Sequence, residues 1–219
     1  MMDMTGQSFA AFLERNGQFH QRVAAQLGCL VPYPGQRFDM VLRSAMLSAE
    51  HAAGAFLLIA EGLHGPGYTL LRPQFETLVR SGWLMHAASD EWVERLARPL
   101  SVETAETGKD APMLADMLKA LGASPTAPQG LVEQLEACRK VMWKALNSFA
   151  HGGLHPLARF GTGYPRRLSC DVLRNSNALL AMALQLAIIA TGERQWMVQF
   201  RALHVDFADC LPIVGHPPD

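Results

Sequence analysis

The stretch Phe38–Leu63, FDMVLRSAMLSAEHAAGAFLLIAEGL, decides the fold. It is almost wholly apolar and rich in alanine, which is typical of a helix covered on most sides. The breaker Gly65-Pro66-Gly67 follows it, and the next segment, Tyr68–Ala88, is again helical in pattern. Because short connections join antiparallel helices, these two segments predict a long helical hairpin.

Further helical segments flank the hairpin on both sides. They are predicted at Gln7–Leu27, Asp90–Leu96, Ser101–Leu121, Leu131–Ala150, Asp171–Thr191 and Glu193–Asp209, with a break at Glu106–Asp110. Gly152-Gly153 ends the fourth of these segments, Leu131–Ala150, and the glycines and prolines that follow predict a loop up to residue 170. Since no strand-like alternation of useful length occurs, the sequence predicts an all-α, multi-helix bundle built on a long antiparallel helical hairpin.

The composition fits one domain. With 219 residues, 49% of them hydrophobic, the chain can bury one substantial core. We divide this single helical domain (1–219) into an N-terminal helix and linker (1–35), the bundle core (36–191) and a C-terminal helix and tail (192–219). The apolar run Ala178–Ala190 is too short to cross a bilayer, so we expect a buried helix and no membrane partner.

Charge and cysteine usage exclude several classes of protein. A net charge of −1 argues against a broad nucleic-acid-binding surface, although a local basic patch stays open. The four cysteines lack metal-ligand spacing, which favours reduced thiols. The first residues do not resemble an export signal, so we expect a cytoplasmic protein.

Metal binding has little support in the sequence. Glu61 and His64 have the spacing of half a di-iron site, but the second Glu-x-x-His is missing. His151 and His155 lie four residues apart without a glutamate to serve as a base, and Gly152-Gly153 interrupts their helix. We therefore expect no metal and no cofactor.

The end of the predicted helix Leu131–Ala150 carries the residues that indicate a chemical function. A core-facing stripe is predicted for Leu131, Leu135, Cys138, Met142, Ala145 and Phe149. Asn147 and His151 fall on the far side, together with Trp143, Lys140 and Lys144. Leaving a Trp in water is costly, so we expect a partner chain or a second layer of helices over Trp143. The alternative is that neither residue has a chemical role. Asn147 then weakens the last turn, and His151 interacts favourably with the negative end of the helix.

The segment from Phe38 to Phe160 resembles the HEPN superfamily of helical bundles, in which an Arg, a polar residue, three variable residues and a His lie near a helix end. Asn147 and His151 match that pattern, whereas Leu146 occupies the position of the Arg. The stretch Leu71–Leu84 is more similar to uncharacterised bacterial branches of the superfamily than to its well-studied toxins.

The resemblance implies a cytoplasmic homodimer of bacterial defence or toxin–antitoxin type that binds or cleaves RNA or binds nucleotide, with an antitoxin protein as a further partner. His151 would be the general acid or base of a metal-independent ribonuclease, and Asn147 would orient it or the phosphate. A cation must then replace the missing Arg, and the candidates are Lys144, Arg72, Arg80 and Arg159. The alternative is a non-catalytic dimeric module that assembles through the Asn147, His151 and Trp143 face.

Arg72, Glu76 and Arg80 repeat every four residues beside Trp83. This ladder predicts a row of ion pairs within one helix, worth about 0.3–0.5 kcal/mol each. The alternative is a set of groups that hold a phosphate or anchor helices around a site. Of these two readings, we favour the structural one.

Overall fold

The computed structural model describes residues 6–102, 104 and 111–212. The α-helices over these residues are α1 (Gly6–Leu27), α2 (Gln36–Ala60), α3 (His64–Thr69), α4 (Leu71–His86), α5 (Asp90–Ala97), α6 (Leu114–Ala123), α7 (Gln129–Ala150), α8 (Leu154–Thr162), α9 (Arg166–Thr191) and α10 (Trp196–Asp206). A short 3-10 turn, Ala208–Cys210, follows α10. No strand occurs in the described part of the chain, and the predicted all-α bundle is confirmed.

Helices α2 and α4 form the predicted antiparallel hairpin. Serine side chains join the two backbones at three levels: Ser44 Oγ donates to Thr77 O at 2.9 Å, Ser48 Oγ to Gln74 O at 2.9 Å, and Ser81 Oγ to Val41 O at 3.0 Å. The partners' numbers rise on one helix as they fall on the other. This order shows that the helices run in opposite directions.

The second arm of the hairpin differs from the predicted continuous helix, Tyr68–Ala88. It is split at Leu70 into α3 and α4. Pro73 has no amide hydrogen to donate to the carbonyl of Thr69, and its ring would collide with that carbonyl in a continuous helix. The prediction was wrong at this point because this effect of Pro73 was overlooked.

The long helix α9 passes through the centre of the bundle, as the apolar run Ala178–Ala190 predicts. Leu179, Ala183, Leu184 and Ala187 have no exposed surface, and the helix packs against both α2 and α4. Among the described residues, α9 is the helix whose length and composition would suffice to cross a membrane, but two thirds of its most apolar window is buried inside the protein.

Gln74 connects α4 to the central helix. Its side chain is fully buried, donates through Nε2 to Ser176 O at 2.8 Å, and accepts through Oε1 from Ser176 Oγ at 2.8 Å. The carbonyl of Gln74 accepts from Ser48, as described above. One residue therefore fixes the relative positions of α2, α4 and α9.

Two further predictions need correction. The region after Gly153 was expected to be a loop, yet α8 spans Leu154–Thr162. Pro156 stands in the first turn of α8, where a helix needs no amide donor. The predicted helix Ser101–Leu121 is not continuous, since residues 111–113 are not helical. The predicted break at Glu106–Asp110 lies outside the described residues.

We predict that Gln74→Leu lowers the free energy of unfolding by about 1–3 kcal/mol, because a buried donor and acceptor are left without partners. The double variant Gln74→Leu/Ser176→Ala should be more stable than the sum of the single variants implies, since it also removes the Ser176 hydroxyl that Gln74→Leu alone leaves without its acceptor, while the backbone carbonyl of Ser176 is unchanged. Urea unfolding of the four proteins checks this cycle. Strict additivity would contradict the role of this hydrogen-bonded pair.

Candidate functional site at the end of helix α7

The end of α7 is defined by the predicted glycine pair. Gly152 has φ of 63°, the left-handed conformation that favours glycine after a helix. The amide of Gly153 donates to Ser148 O at 2.7 Å, and a Cβ on Gly153 would lie 2.8 Å from Ser148 Oγ. A side chain at Gly152 would be strained, and one at Gly153 would collide with Ser148. The glycine turn therefore fixes the position of the preceding residue, His151.

The junction of α3 and α4 holds this helix end from the other side. Thr69 Oγ1 donates to Phe149 O at 3.4 Å. Three residues further on, Arg72 NH1 lies 2.5 Å from Nε2 of His151. The first turn of α4 therefore lies against the last turn of α7.

Arg72 is held by two other groups. Its Nε donates to Glu76 Oε1 at 3.0 Å, in the ion pair that the four-residue spacing predicted. Its Cζ atom lies 5.2 Å from the centre of the Trp143 ring, within the range of a cation–π contact. The guanidinium thus keeps its orientation at His151 although its side chain is about a quarter exposed.

The contact has one chemically consistent direction. A guanidinium has only donors, so in this contact Nε2 of His151 serves as the acceptor. His151 is exposed, and a substrate can reach it. Displacement of Arg72 by an anion would free the lone pair of Nε2 to accept a different proton.

Asn147 lies one turn before His151, and its side-chain carbonyl lacks a hydrogen bond. Its Oδ1 atom is inaccessible to solvent and has no hydrogen-bond partner in the described part of the chain. An unpaired buried carbonyl costs about 1–3 kcal/mol, and such groups in folded proteins call for an explanation.

The face of α7 that carries these residues is covered by a second layer of helices, one of the two coverings that the sequence predicted for Trp143. Trp143 is half-buried, with its ring centre 6.3 Å from that of Phe75 on α4. The expectation that Trp143 lies away from this chain's own core is wrong, because α4 covers that side of α7 and is the second layer of helices. Its assignment to an interface between chains stays a prediction. Leu146 is 5% exposed and belongs to the hydrophobic core.

The other predicted residues lie at different distances from His151. Arg72 and Glu76 belong to the site. Lys144 is exposed on the same side of α7, and seven residues of helix place it about 10 Å along the axis from His151. Arg80 lies two turns beyond Arg72, about 12 Å along α4, and its burial lowers its pKa. Arg159 lines a cavity on the side of α7 opposite Asn147.

The charge of the surrounding segment was missed, although the sequence contains it. No acidic residue occurs between Glu136 and Asp171. The cations in this interval are Arg139, Lys140, Lys144, Arg159, Arg166 and Arg167. The near-neutral total therefore hides a segment of strongly positive charge that contains the candidate site.

A buried polar cluster lies on the other side of the α3–α4 junction. Ser169 Oγ is 2.9 Å from the hydroxyl of Tyr68 and 3.4 Å from Nδ1 of His64. Ser169 is fully buried, so this pairing of Ser and His joins α3 to α9 and does not present a nucleophile. His64 also stacks on Tyr164, which explains its place in the fold without a metal.

The residues with metal-ligand spacing do not come together in the described part of the chain. Among the described residues, no three His, Cys, Asp or Glu side chains come together in a group that could hold a metal ion. Glu61, one half of the di-iron spacing, is exposed just after the end of α2.

Comparison with known proteins gives a family but no activity. No curated protein and no solved structure matches the chain. Residues 45–213, which begin within α2, match DUF6988, a family of unknown function. This match covers about three quarters of the sequence and includes every residue of the candidate site, so the chain belongs to the DUF6988 family.

Proposed function

We propose that this protein binds single-stranded RNA at the end of α7 and cleaves it without a metal ion, in the manner of the HEPN-like proteins that its Asn147/His151 segment resembles. The observation that carries this proposal is the contact between Arg72 NH1 and His151 Nε2 at 2.5 Å. It places a cation beside the candidate base within a single chain. The Arg that is missing at position 146 is replaced by one from the neighbouring helix.

Arg72 suits the binding of a phosphodiester. A guanidinium recognises phosphate oxygens through two parallel N–H donors. Glu76 occupies Nε and His151 occupies NH1, which leaves the NH2 group for an incoming oxygen. When phosphate also takes NH1, Nε2 of His151 becomes free.

The exposed side of α7 offers a path for the rest of the strand. Lys140 and Lys144 are exposed on the same helix side as His151, at about 17 Å and 10 Å from it along the axis. Contacts between Lys or Arg and phosphates supply most of the affinity for nucleic acid. No carboxylate occurs between Glu136 and Asp171, and the carboxylate of Glu76 at the site is paired with Arg72.

The chemistry is an internal transfer of the phosphoryl group. Nε2 of His151 takes the proton of the 2′-hydroxyl as the 2′-oxygen bonds to phosphorus. The P–O5′ bond breaks, and water gives a proton to the departing O5′. Arg72 stabilises the negative charge on the non-bridging oxygens, and Asn147, one turn before His151, positions the end of the helix that carries the imidazole. The products carry a 2′,3′-cyclic phosphate and a 5′-hydroxyl.

We predict that Arg72→Ala and His151→Ala each reduce cleavage at least about 100-fold, the loss typical of removing one transition-state donor or general base. The measurement uses a labelled single-stranded RNA in EDTA. Because the two groups act together, the double variant should lose little more than either single one. Arg72→Lys should recover only part of the activity, since it lacks the planar fork.

Arg43→Ala is the matched control, because Arg43 also pairs with an acidic residue one turn away on an exposed helix face. It should cleave like the wild type. An oligonucleotide with 2′-deoxyribose throughout should bind but stay intact. Full cleavage by Arg72→Ala, or an inactive wild type, would overturn the catalytic proposal. If the wild type is inactive but binds RNA, loss of that binding in Arg72→Ala would still support the binding site.

Asn147 gives a second test, in which stability and activity change in opposite directions. Asn147→Leu removes the unpaired buried carbonyl and improves the helix propensity. We expect the free energy of unfolding to rise by about 1 kcal/mol and RNA cleavage to fall. Urea unfolding and the same cleavage assay measure both. A variant that is less stable would show that Asn147 is needed by the fold itself.

A second function, assembly without catalysis, is favoured by the surface of α8. None of its nine residues is buried, and Leu154, Leu157 and Phe160 are 78%, 69% and 90% exposed. Their spacing puts all three on adjacent parts of the helix surface. Exposed apolar patches of this kind mark protein–protein contacts. We therefore place the proposed homodimer contact on α8.

We predict that Phe160→Glu converts a dimer to a monomer, because a charge would be buried in the contact. Sedimentation equilibrium of the wild type and the variant measures this. Val205→Glu, at a position on α10 that is also strongly exposed, is the control and should leave the mass unchanged. A wild-type protein that is monomeric, or a Phe160→Glu dimer, would reject the α8 contact.

A further inference from the structure

A cavity of about 240 Å³ lies between α7, α8 and α9. Its walls are mainly apolar and include Met142, Leu146, Phe149, Leu168 and Val172. At 100° per residue, the α7 residues that line it face away from Asn147. The cavity is therefore separate from the candidate site at His151.

Three polar side chains also line this cavity: His155, Arg159 and Asn175. None of them makes a side-chain hydrogen bond or ion pair with another described residue. His155 and Arg159 lie four residues apart on α8, which puts them on one face of that helix. No carboxylate lines the cavity, so nothing within it balances the charge of Arg159.

The fourth polar group in the wall is already paired. The hydroxyl of Tyr68 lies 2.9 Å from Ser169 Oγ, and burial raises the pKa of Tyr68 to about 12. Tyr68 therefore stays neutral and does not neutralise Arg159. The cavity combines an apolar interior with a positive and donor-rich edge.

We propose that this cavity binds a small amphipathic monocarboxylate. Arg159 pairs with the carboxylate, while His155 and Asn175 offer further hydrogen bonds to it. The hydrocarbon part lies against Met142, Leu146, Phe149 and Val172. Apolar cavities with a few convergent polar groups are the usual form of small-molecule sites, and charge complementarity selects an anion here.

Helix α8 is the least buried wall of the cavity. Helix α8 supplies His155 and Arg159 but buries none of its own residues. A ligand that contacts α8 from inside would add the buried contacts that this helix lacks. Binding should thus raise the thermal stability of the protein, as any ligand selective for the folded state does.

The test uses octanoate as the probe, with isothermal titration calorimetry and thermal unfolding as the two readouts. Octanoate is expected to bind and to raise Tm with concentration. Octylamine and octanol, which have the same chain, should bind at least 10-fold more weakly. Arg159→Met keeps the length of the side chain, removes its charge and should weaken octanoate binding at least 10-fold.

Arg167→Met is the matched control, since Arg167 is exposed and does not line the cavity. Ala145→Leu fills the cavity without changing its charge and should abolish octanoate binding. It replaces Arg159→Met as the test variant if Arg159→Met does not fold. No octanoate binding by the wild type, equal binding of octanol or octylamine, or equal binding by Arg159→Met would each overturn the proposal. Cleavage of RNA is measured separately, because this site does not depend on His151.

Discussion

The bundle depends on one buried set of hydrogen bonds, in which Gln74 joins three helices. Its side chain exchanges two bonds with Ser176 on α9, and its carbonyl accepts from Ser48 on α2. Every member is buried and paired, so the network specifies one alignment of the helices. Arg72 stands two residues before Gln74. Because the core fixes Gln74, it also fixes the start of the guanidinium side chain that reaches His151.

The candidate site combines groups that a single helix could not provide. Leu146 is needed by the core, so a cation at that position of α7 would be buried at high cost. Arg72 instead approaches from α4, where Glu76 and Trp143 hold it at the edge of solvent. The charge stays partly hydrated and yet lies beside the imidazole. This arrangement reconciles a continuous apolar core with a cationic site.

The sequence was sufficient for most of the fold and for half of the candidate site. Apolar periodicity predicted α2, α7 and α9, and Gly152-Gly153 predicted the end of α7. The pairing of Arg72 with His151 spans 79 positions, and it depends on how the first turn of α4 packs against the end of α7. No local pattern contains that information. By contrast, the helix α8 was missed because Pro156 was taken as a breaker, although a first-turn proline permits a helix.

The turn after α7 links the two proposed sites. Ser148 accepts through its carbonyl from Gly153 and through its hydroxyl from the amide of His155. The first bond closes α7 just beyond His151, and the second caps the start of α8, which carries His155 and Arg159. A shift of α8 against its cavity therefore acts on the same serine that ends the helix of His151. Since α8 buries no residue of its own, these two hydrogen bonds help to set the direction of α8. Ligand binding in the cavity and the geometry at His151 therefore both depend on Ser148.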